Sequence, residues 1–182
     1  MATADAVTAL ALAAAGGDRA ALAEFIRATQ ADVWRFVAHL AGVAAADDLT
    51  QETFLRVLTA LPAFEGRSSA RAWLLAIARR AVVDRIRHDR ARPRLVAVDG
   101  SLDELVAEHA DPSNGHGAAA LLGLLGPERR EALVLTQLMG FTYAETAEIC
   151  ACAVGTVRSR VARARADLVE ALARQDAPAS RR

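Results

Sequence analysis

The sequence predicts an all-α protein of two small helical domains joined by a flexible acidic linker. Three observations carry that expectation. Apolar residues recur with helical spacing on both sides of residues 93–117. Almost nowhere does a β-branched run alternate with period two, so sheet is not expected. Turn-forming residues cluster in PRLVAVDG and ADPSNGHG, between the two helical stretches. The boundaries read as 1–92 for the first domain, 93–117 for the linker and 118–182 for the second. With 182 residues, 53% hydrophobic and 24% charged, the chain can bury one moderate core or two small ones and does not have a disordered composition.

Along the chain, the first apolar run is AVTALALAAA, from Ala6. Asp5 precedes it and Gly16, Gly17 and Asp18 follow, a pattern that makes neither a signal peptide nor a membrane span, so a cytoplasmic protein with no membrane contact is expected. Further on, Phe54, Val57, Leu58 and Leu61 form the expected buried face of a helix whose opposite face carries Asp48, Glu52 and Arg56 at i, i+4, i+8. Such a stripe suits a basic or polar partner helix, but the charges by themselves favour an ordinary solvated face with one intrahelical ion pair. Beyond Phe64, EGRSSAR reads as a polar loop leading into a helix from about Ala70 to Arg90. On that helix Trp73, Arg80, Asp84 and Arg87 share a side opposite Leu74, Ala78 and Val82. An aromatic among cations can stack on unpaired bases while guanidinium groups hold phosphates, although Trp73 also fits a plain core position.

Charge is distributed unevenly although the formal net charge is zero. From Arg67 to Arg94 there are nine arginines against Asp84 and Asp89. The following stretch to Gly117 holds Asp99, Asp103, Glu104, Glu108 and Asp111 and no basic residue. Thr156 to Arg165 then carries Arg158, Arg160, Arg163 and Arg165 and no acid. Two basic patches separated by an acidic strip fit a nucleic-acid partner better than the total does. Cys150 and Cys152 lack the second ligand pair of a structural zinc site, and His39, His88, His109 and His116 are scattered. No metal and no cofactor is expected.

The second domain contains the most specific pattern. In FTYAETAEIC, Phe141 to Cys150, Thr142 can cap a short helix with Glu145 at the third position of a capping box. A tight turn, Ala151 to Ala153, leads to VGTVRSRVARARADL, in which Val154, Val157, Val161, Ala164 and Leu168 form an apolar stripe. The other face presents Thr156, Ser159, Ala162, Arg163 and Ala166, with Arg158 and Arg165 on one flank and Arg160 toward the other. Small residues let a helix approach a major groove, hydroxyls reach phosphates and base edges, and arginine forks onto guanine or phosphate. Helix, short turn and second helix make a helix-turn-helix.

GFTYAETAEICACAVGTVRSRVARARADL resembles the C-terminal DNA-binding domain of the extracytoplasmic-function (ECF) bacterial RNA polymerase sigma factors. DDLTQETFLRVLTALPAFEGRSSARAWLLAIARRAVVDRIR, from Asp47 to Arg87, resembles the sigma domain that grips core polymerase and opens the promoter. The resemblance implies a protein without catalytic residues that binds core RNA polymerase and directs it to promoter DNA, with an anti-sigma factor as a further candidate partner. It implies polymerase contacts at Asp48, Gln51 and Glu52. It implies capture of melted bases of the downstream (−10) element by Phe64, Arg67, Ser68, Ser69 and Arg71, alongside Trp73, Arg80 and Arg87. Recognition of the upstream (−35) element falls to Thr142, Tyr143, Thr156, Arg158, Ser159, Arg160 and Arg163. The chain departs from the family pattern at Ala70 and Arg80, where Phe and Asn are common, and at Cys150, Ala151 and Ala153, where Leu-Gly and a following Pro or Ser are usual. A stand-alone helix-turn-helix regulator with a sensing or dimerising N-terminal half is the alternative, and an enzyme using Glu52 or His88 a weaker one.

Overall fold

The computed structural model describes residues 4–91 and 116–176. The described residues form eight α-helices and no strand, and the chain divides into two compact units whose bulk is residues 1–97 and 98–182. The predicted acidic strip from Asp99 to Asp111, and most of the predicted linker, lie outside the described residues.

The N-terminal unit is built from α1 (Ala4–Ala15), α2 (Arg19–Ala41), α3 (Ala46–Ala60) and α4 (Ala70–Ala91). Gly17, at φ 97°, reverses the chain after α1. Asp18 then starts α2, its Oδ1 accepting the backbone N–H groups of Ala20 (2.8 Å) and Ala21 (3.0 Å) that no helical carbonyl can reach. Along α2 the buried residues Ala21, Phe25, Thr29, Val33, Phe36 and Val37 recur at helical spacing. They meet α3 and α4 in a core that also takes in Leu49, Val57, Leu74, Leu75 and Val82. Phe25 and Phe36 are fully enclosed, each contributing about 1.5–3 kcal/mol relative to exposure. Pro62, in the single turn Leu61–Ala63, accompanies the end of α3.

One predicted face is out of phase. The inward residues of α3 are Ala46, Leu49, Thr53 and Val57, continued by Leu61, whereas Leu58 is 45% exposed and Phe54 only half-buried. Thr53 can occupy the core because its hydroxyl donates to the Leu49 carbonyl at 2.6 Å, leaving its methyl to pack.

The C-terminal unit comprises α5 (His116–Gly123), α6 (Pro127–Leu133), α7 (Tyr143–Cys150) and α8 (Val154–Asp176). A wider turn, Val134–Leu138, continues α6, and Gly140 at φ 75° ends it. Arg130 closes the end of α5, donating to the carbonyls of Leu122 (2.8 Å) and Gly123 (3.0 Å); burial pushes its pKa below the ordinary arginine value. Leu122, Leu125, Leu135 and Phe141 are buried in this unit together with Val157, Val161 and Ala164 of α8. Leu168 is half-buried, but Val154 is 41% exposed: it occupies the first position of α8, ahead of the buried stripe.

Candidate nucleic-acid interface

Thr142 and Glu145 form the expected capping box. Thr142 Oγ1 accepts the Glu145 N–H at 3.2 Å, and Glu145 Oε2 accepts the Thr142 N–H at 2.9 Å. At the other end of α7, the Ala151 N–H reaches the Glu148 carbonyl (3.2 Å) and the Cys152 N–H the Ala147 carbonyl (3.0 Å). These are the paired bonds of a Schellman stop, with Ala151 in its left-handed position at φ 51°. The Ala153 carbonyl then accepts the N–H groups of Thr156 (2.9 Å) and Val157 (3.2 Å), so α8 begins with an N-cap that has no side-chain oxygen. The corner keeps helix-turn-helix geometry through its backbone alone.

Because Val157, Val161 and Ala164 anchor α8, the arginines between them take different environments. Arg158 and Arg163 are exposed, and neither forms an ion pair among the described residues. Arg160 is instead held by Glu128 at 2.7 Å, its Nη1 lies 3.7 Å from Cys152 Sγ, and its side chain is only 18% exposed. Arg165 donates to Gln137 Oε1 at 2.9 Å. Ser159 is exposed and donates to the Thr156 carbonyl at 2.9 Å; Thr142 is exposed, while Thr156 and Tyr143 are half-buried.

The loop before α4 divides its residues in the same way. Phe64 is 7% exposed, with its ring centroid 4.8 Å from that of Trp73 at an interplanar angle of 44°. It belongs to the core as the support beneath a half-buried Trp73, where the sequence placed it among base contacts. Arg71 is likewise occupied, its Nε and Nη2 at 2.9 and 2.7 Å from Asp32 Oδ2, a carboxylate that Arg35 shares. Ser69 caps α4, its hydroxyl accepting the Ala72 N–H at 3.3 Å, and Ser68 is half-buried. Arg67 projects into solvent with its side chain 86% exposed, near Glu65 at 3.4 Å. Arg80 and Arg87 are exposed and without an ion pair among the described residues. With Trp73 they follow one line along α4 at seven-residue spacing.

Asp48, Gln51 and Glu52 are all exposed on α3 but look in two directions. Asp48 and Glu52 line a surface groove shared with α4, alongside Arg56, Asp84 and His88. Arg56 bridges that groove through Glu52 (2.9 Å) and Asp84 (2.7 Å), and the hydrogen bond to Asp84 raises its pKa further. Gln51 faces α2 across a second groove lined by Ile26, Gln30, Phe54, Leu55 and Leu58. Leu55 is 64% exposed and went unnoticed in the sequence; its place four residues after Gln51 was the available signal. No three histidine, cysteine or carboxylate side chains converge as a metal site among the described residues. No described helix is long and apolar enough to cross a membrane.

A helix-turn-helix with an arginine-bearing second helix, together with a separate helical unit carrying its own cationic line, is the architecture of a DNA-binding transcription factor. Two family models match the chain accordingly: Sigma-70 region 2 over residues 25–92 and Sigma-70 region 4 over residues 118–168. The ECF RNA polymerase sigma factor SigC of Mycobacterium tuberculosis is 54% identical over 165 residues, covering 88% of each chain. EcfG of Rhodopseudomonas palustris is 38% identical over 137 residues, 73% of this chain and 75% of its own. Among solved structures, CnrH in complex with the cytosolic domain of CnrY aligns with a TM-score of 0.69 at 26% identity, over 94% of this chain and 99% of its own. RpoE of Bartonella quintana in complex with the anti-sigma factor NepR gives 0.67 at 28% identity, over 83% and 96%. The chain belongs to the ECF group of RNA polymerase sigma factors. It directs promoter-specific transcription initiation, and the stand-alone regulator is not favoured.

Proposed function

We propose a division of labour set by which arginines the fold leaves exposed. Residues 118–182 read the −35 element, with Arg158 and Arg163 as the principal contacts and Thr142, Tyr143, Thr156 and Ser159 at the margin; Arg160 holds α8 to Glu128 and acts indirectly. Residues 1–92 engage polymerase through Asp48, Gln51 and Glu52 and hold the melted −10 strand with Trp73, Arg67, Arg80 and Arg87. Ser68 and Ser69 shape the loop, Phe64 supports Trp73, and Arg71 ties α4 to α2. Residues 93–117 connect the two domains. The chain performs no catalysis itself and works in the cytoplasm, where polymerase and promoters are. Two solved relatives are in complex with the anti-sigma factor NepR and with the cytosolic domain of CnrY, and the first of these supports an anti-sigma factor as a partner here.

The observation that carries this reading is the contrast on α8 between exposed Arg158 and Arg163 and pinned Arg160. Promoter binding by reconstituted holoenzyme tests it. Replacing Arg158 or Arg163 by alanine should either lower the salt slope by about 0.9, for a phosphate contact, or cost about 1–3 kcal/mol at one base pair, for guanine readout. Unchanged affinity and slope in both variants would remove α8 as the reading helix.

A further inference from the structure

The match to Sigma-70 region 2 starts at residue 25, so α1 lies ahead of it. Yet α1 packs against α2, α4 and the turn Leu61–Ala63, burying Val7 and Ala11. Next to those residues, Thr8 and Leu12 stand one helical turn apart and reach the loop that precedes α4. Ala70 is the first residue of α4 and fully buried, so its N–H has neither a helical carbonyl nor water to bond. Thr8 Oγ1 accepts it at 3.1 Å. Ser69 serves the Ala72 N–H, and its carbonyl accepts the Trp73 N–H at 3.0 Å, linking the start of the helix directly to the tryptophan. Leu12 lies against Gly66: a Cβ there would sit 3.3 and 3.4 Å from the two Leu12 methyl carbons. At φ 71°, Gly66 also has a backbone conformation that side chains disfavour. The stretch from Glu65 to Ala70 is thus held near its start, at Gly66, by an apolar contact and at its end, at Ala70, by a hydrogen bond, both from α1.

We infer that α1 is a positioning element for promoter opening, in which Thr8 and Leu12 set the loop and the N-terminus of α4 so that Arg67 and Trp73 meet the melted strand. This rests on the assignment of that loop to the −10 element. Thr8 and Leu12 touch no DNA themselves; they act through Ala70 and Gly66. A hydroxyl acceptor at residue 8 is therefore required, and its loss loosens the loop without loosening the core formed by Phe25, Phe36 and Leu74.

The test uses full-length protein in holoenzyme, with permanganate reactivity of −10 thymines reporting strand opening. Affinity for core polymerase and thermal unfolding are measured alongside. Thr8→Val keeps the shape and removes the acceptor; Thr8→Ser keeps the acceptor; Leu12→Ala, at a side chain already 44% exposed, removes the contact under Gly66. Expected are a roughly fivefold loss of opening for Thr8→Val and for Leu12→Ala, near wild-type opening for Thr8→Ser, and unchanged polymerase affinity. Wild-type opening in Thr8→Val and Leu12→Ala overturns the inference, as does a loss matched by an equal loss of polymerase affinity. Arg67→Ala, run in parallel, separates the two levels of the argument. Impaired opening there with normal opening in Thr8→Val rejects the role of α1 alone; normal opening in Arg67→Ala and the α1 variants rejects the loop assignment as well.

Discussion

Replacing Ala151 by glycine should strengthen the helix-turn-helix. The alanine sits at φ 51°, where its Cβ crowds the following carbonyl at a cost of about 1–2 kcal/mol that glycine does not incur. Glycine's greater freedom in the unfolded chain offsets about 0.5–1 kcal/mol of that gain. Ala151 is exposed, and both hydrogen bonds of the corner come from backbone groups, so removing the methyl sacrifices little packing and no bond. The net stabilisation is about 0.5–1 kcal/mol, or roughly a two- to fivefold slower exchange of α7 and α8 amides that open with this unit. Adding Ala153→Ser supplies the missing N-cap oxygen and about 1 kcal/mol more. Native-state hydrogen exchange on the full chain reads both effects. Trp34 and Trp73, the two tryptophans, lie in the N-terminal unit, so their fluorescence during urea unfolding is an internal control that should not move. Faster exchange in Ala151→Gly would refute the claim that the alanine is strained.

Thr146 is fully buried and its hydroxyl has no partner among the described residues, so Thr146→Val should raise stability by about 1 kcal/mol or more in urea denaturation. Burial, reinforced by Arg35, holds His39 below its ordinary pKa of 6.5. Its neutral form contributes stability that is complete above 6.5 and is lost as pH falls from there through the folded-state pKa; His39→Gln should flatten that part of the tryptophan-monitored profile. Charge reversal at Asp48 and Glu52 together should abolish holoenzyme assembly in a pull-down with core polymerase while lowering stability by only about 1 kcal/mol, because both are exposed and the one ion pair lost is Glu52–Arg56.

What the sequence made legible was local. The capping box of Thr142 and Glu145 needs only three residues of spacing, and the turn at Ala151 to Ala153 needs only the end of one amphipathic pattern and the start of another. Positions fixed by tertiary partners were not legible. Arg71 looks like any loop arginine until α2 brings Asp32 against it, and Arg160 looks like Arg158 until Glu128 arrives from α6. Phe64 follows the same rule, since only the fold places its ring under Trp73. On α3, Leu58 is as apolar as Val57, and which of them turns inward depends on where α2 and α4 lie.

These partners also reconcile a net charge of zero with a protein that works on DNA. Acidic residues are matched to arginines between helices, Asp32 to Arg71, Asp84 to Arg56, Asp167 to Arg129 and Glu128 to Arg160, and within them, Asp32 to Arg35 and Glu52 to Arg56. Each exposed pair adds about 1 kcal/mol or less to stability, so stability alone does not account for the pattern. Its larger effect is on the field. Paired charges cancel within a few ångströms, whereas Arg158 and Arg163 on α8, and Arg80 and Arg87 on α4, form no ion pair among the described residues, the neighbouring Asp84 and Asp167 being bound to Arg56 and Arg129. Beyond a Debye length of about 8 Å at physiological salt the molecule as a whole has little pull on a polyanion, while at contact range these two faces remain positive. Weak attraction at long range and a positive surface at short range suit a factor that must reach promoters in the company of polymerase instead of coating DNA by itself.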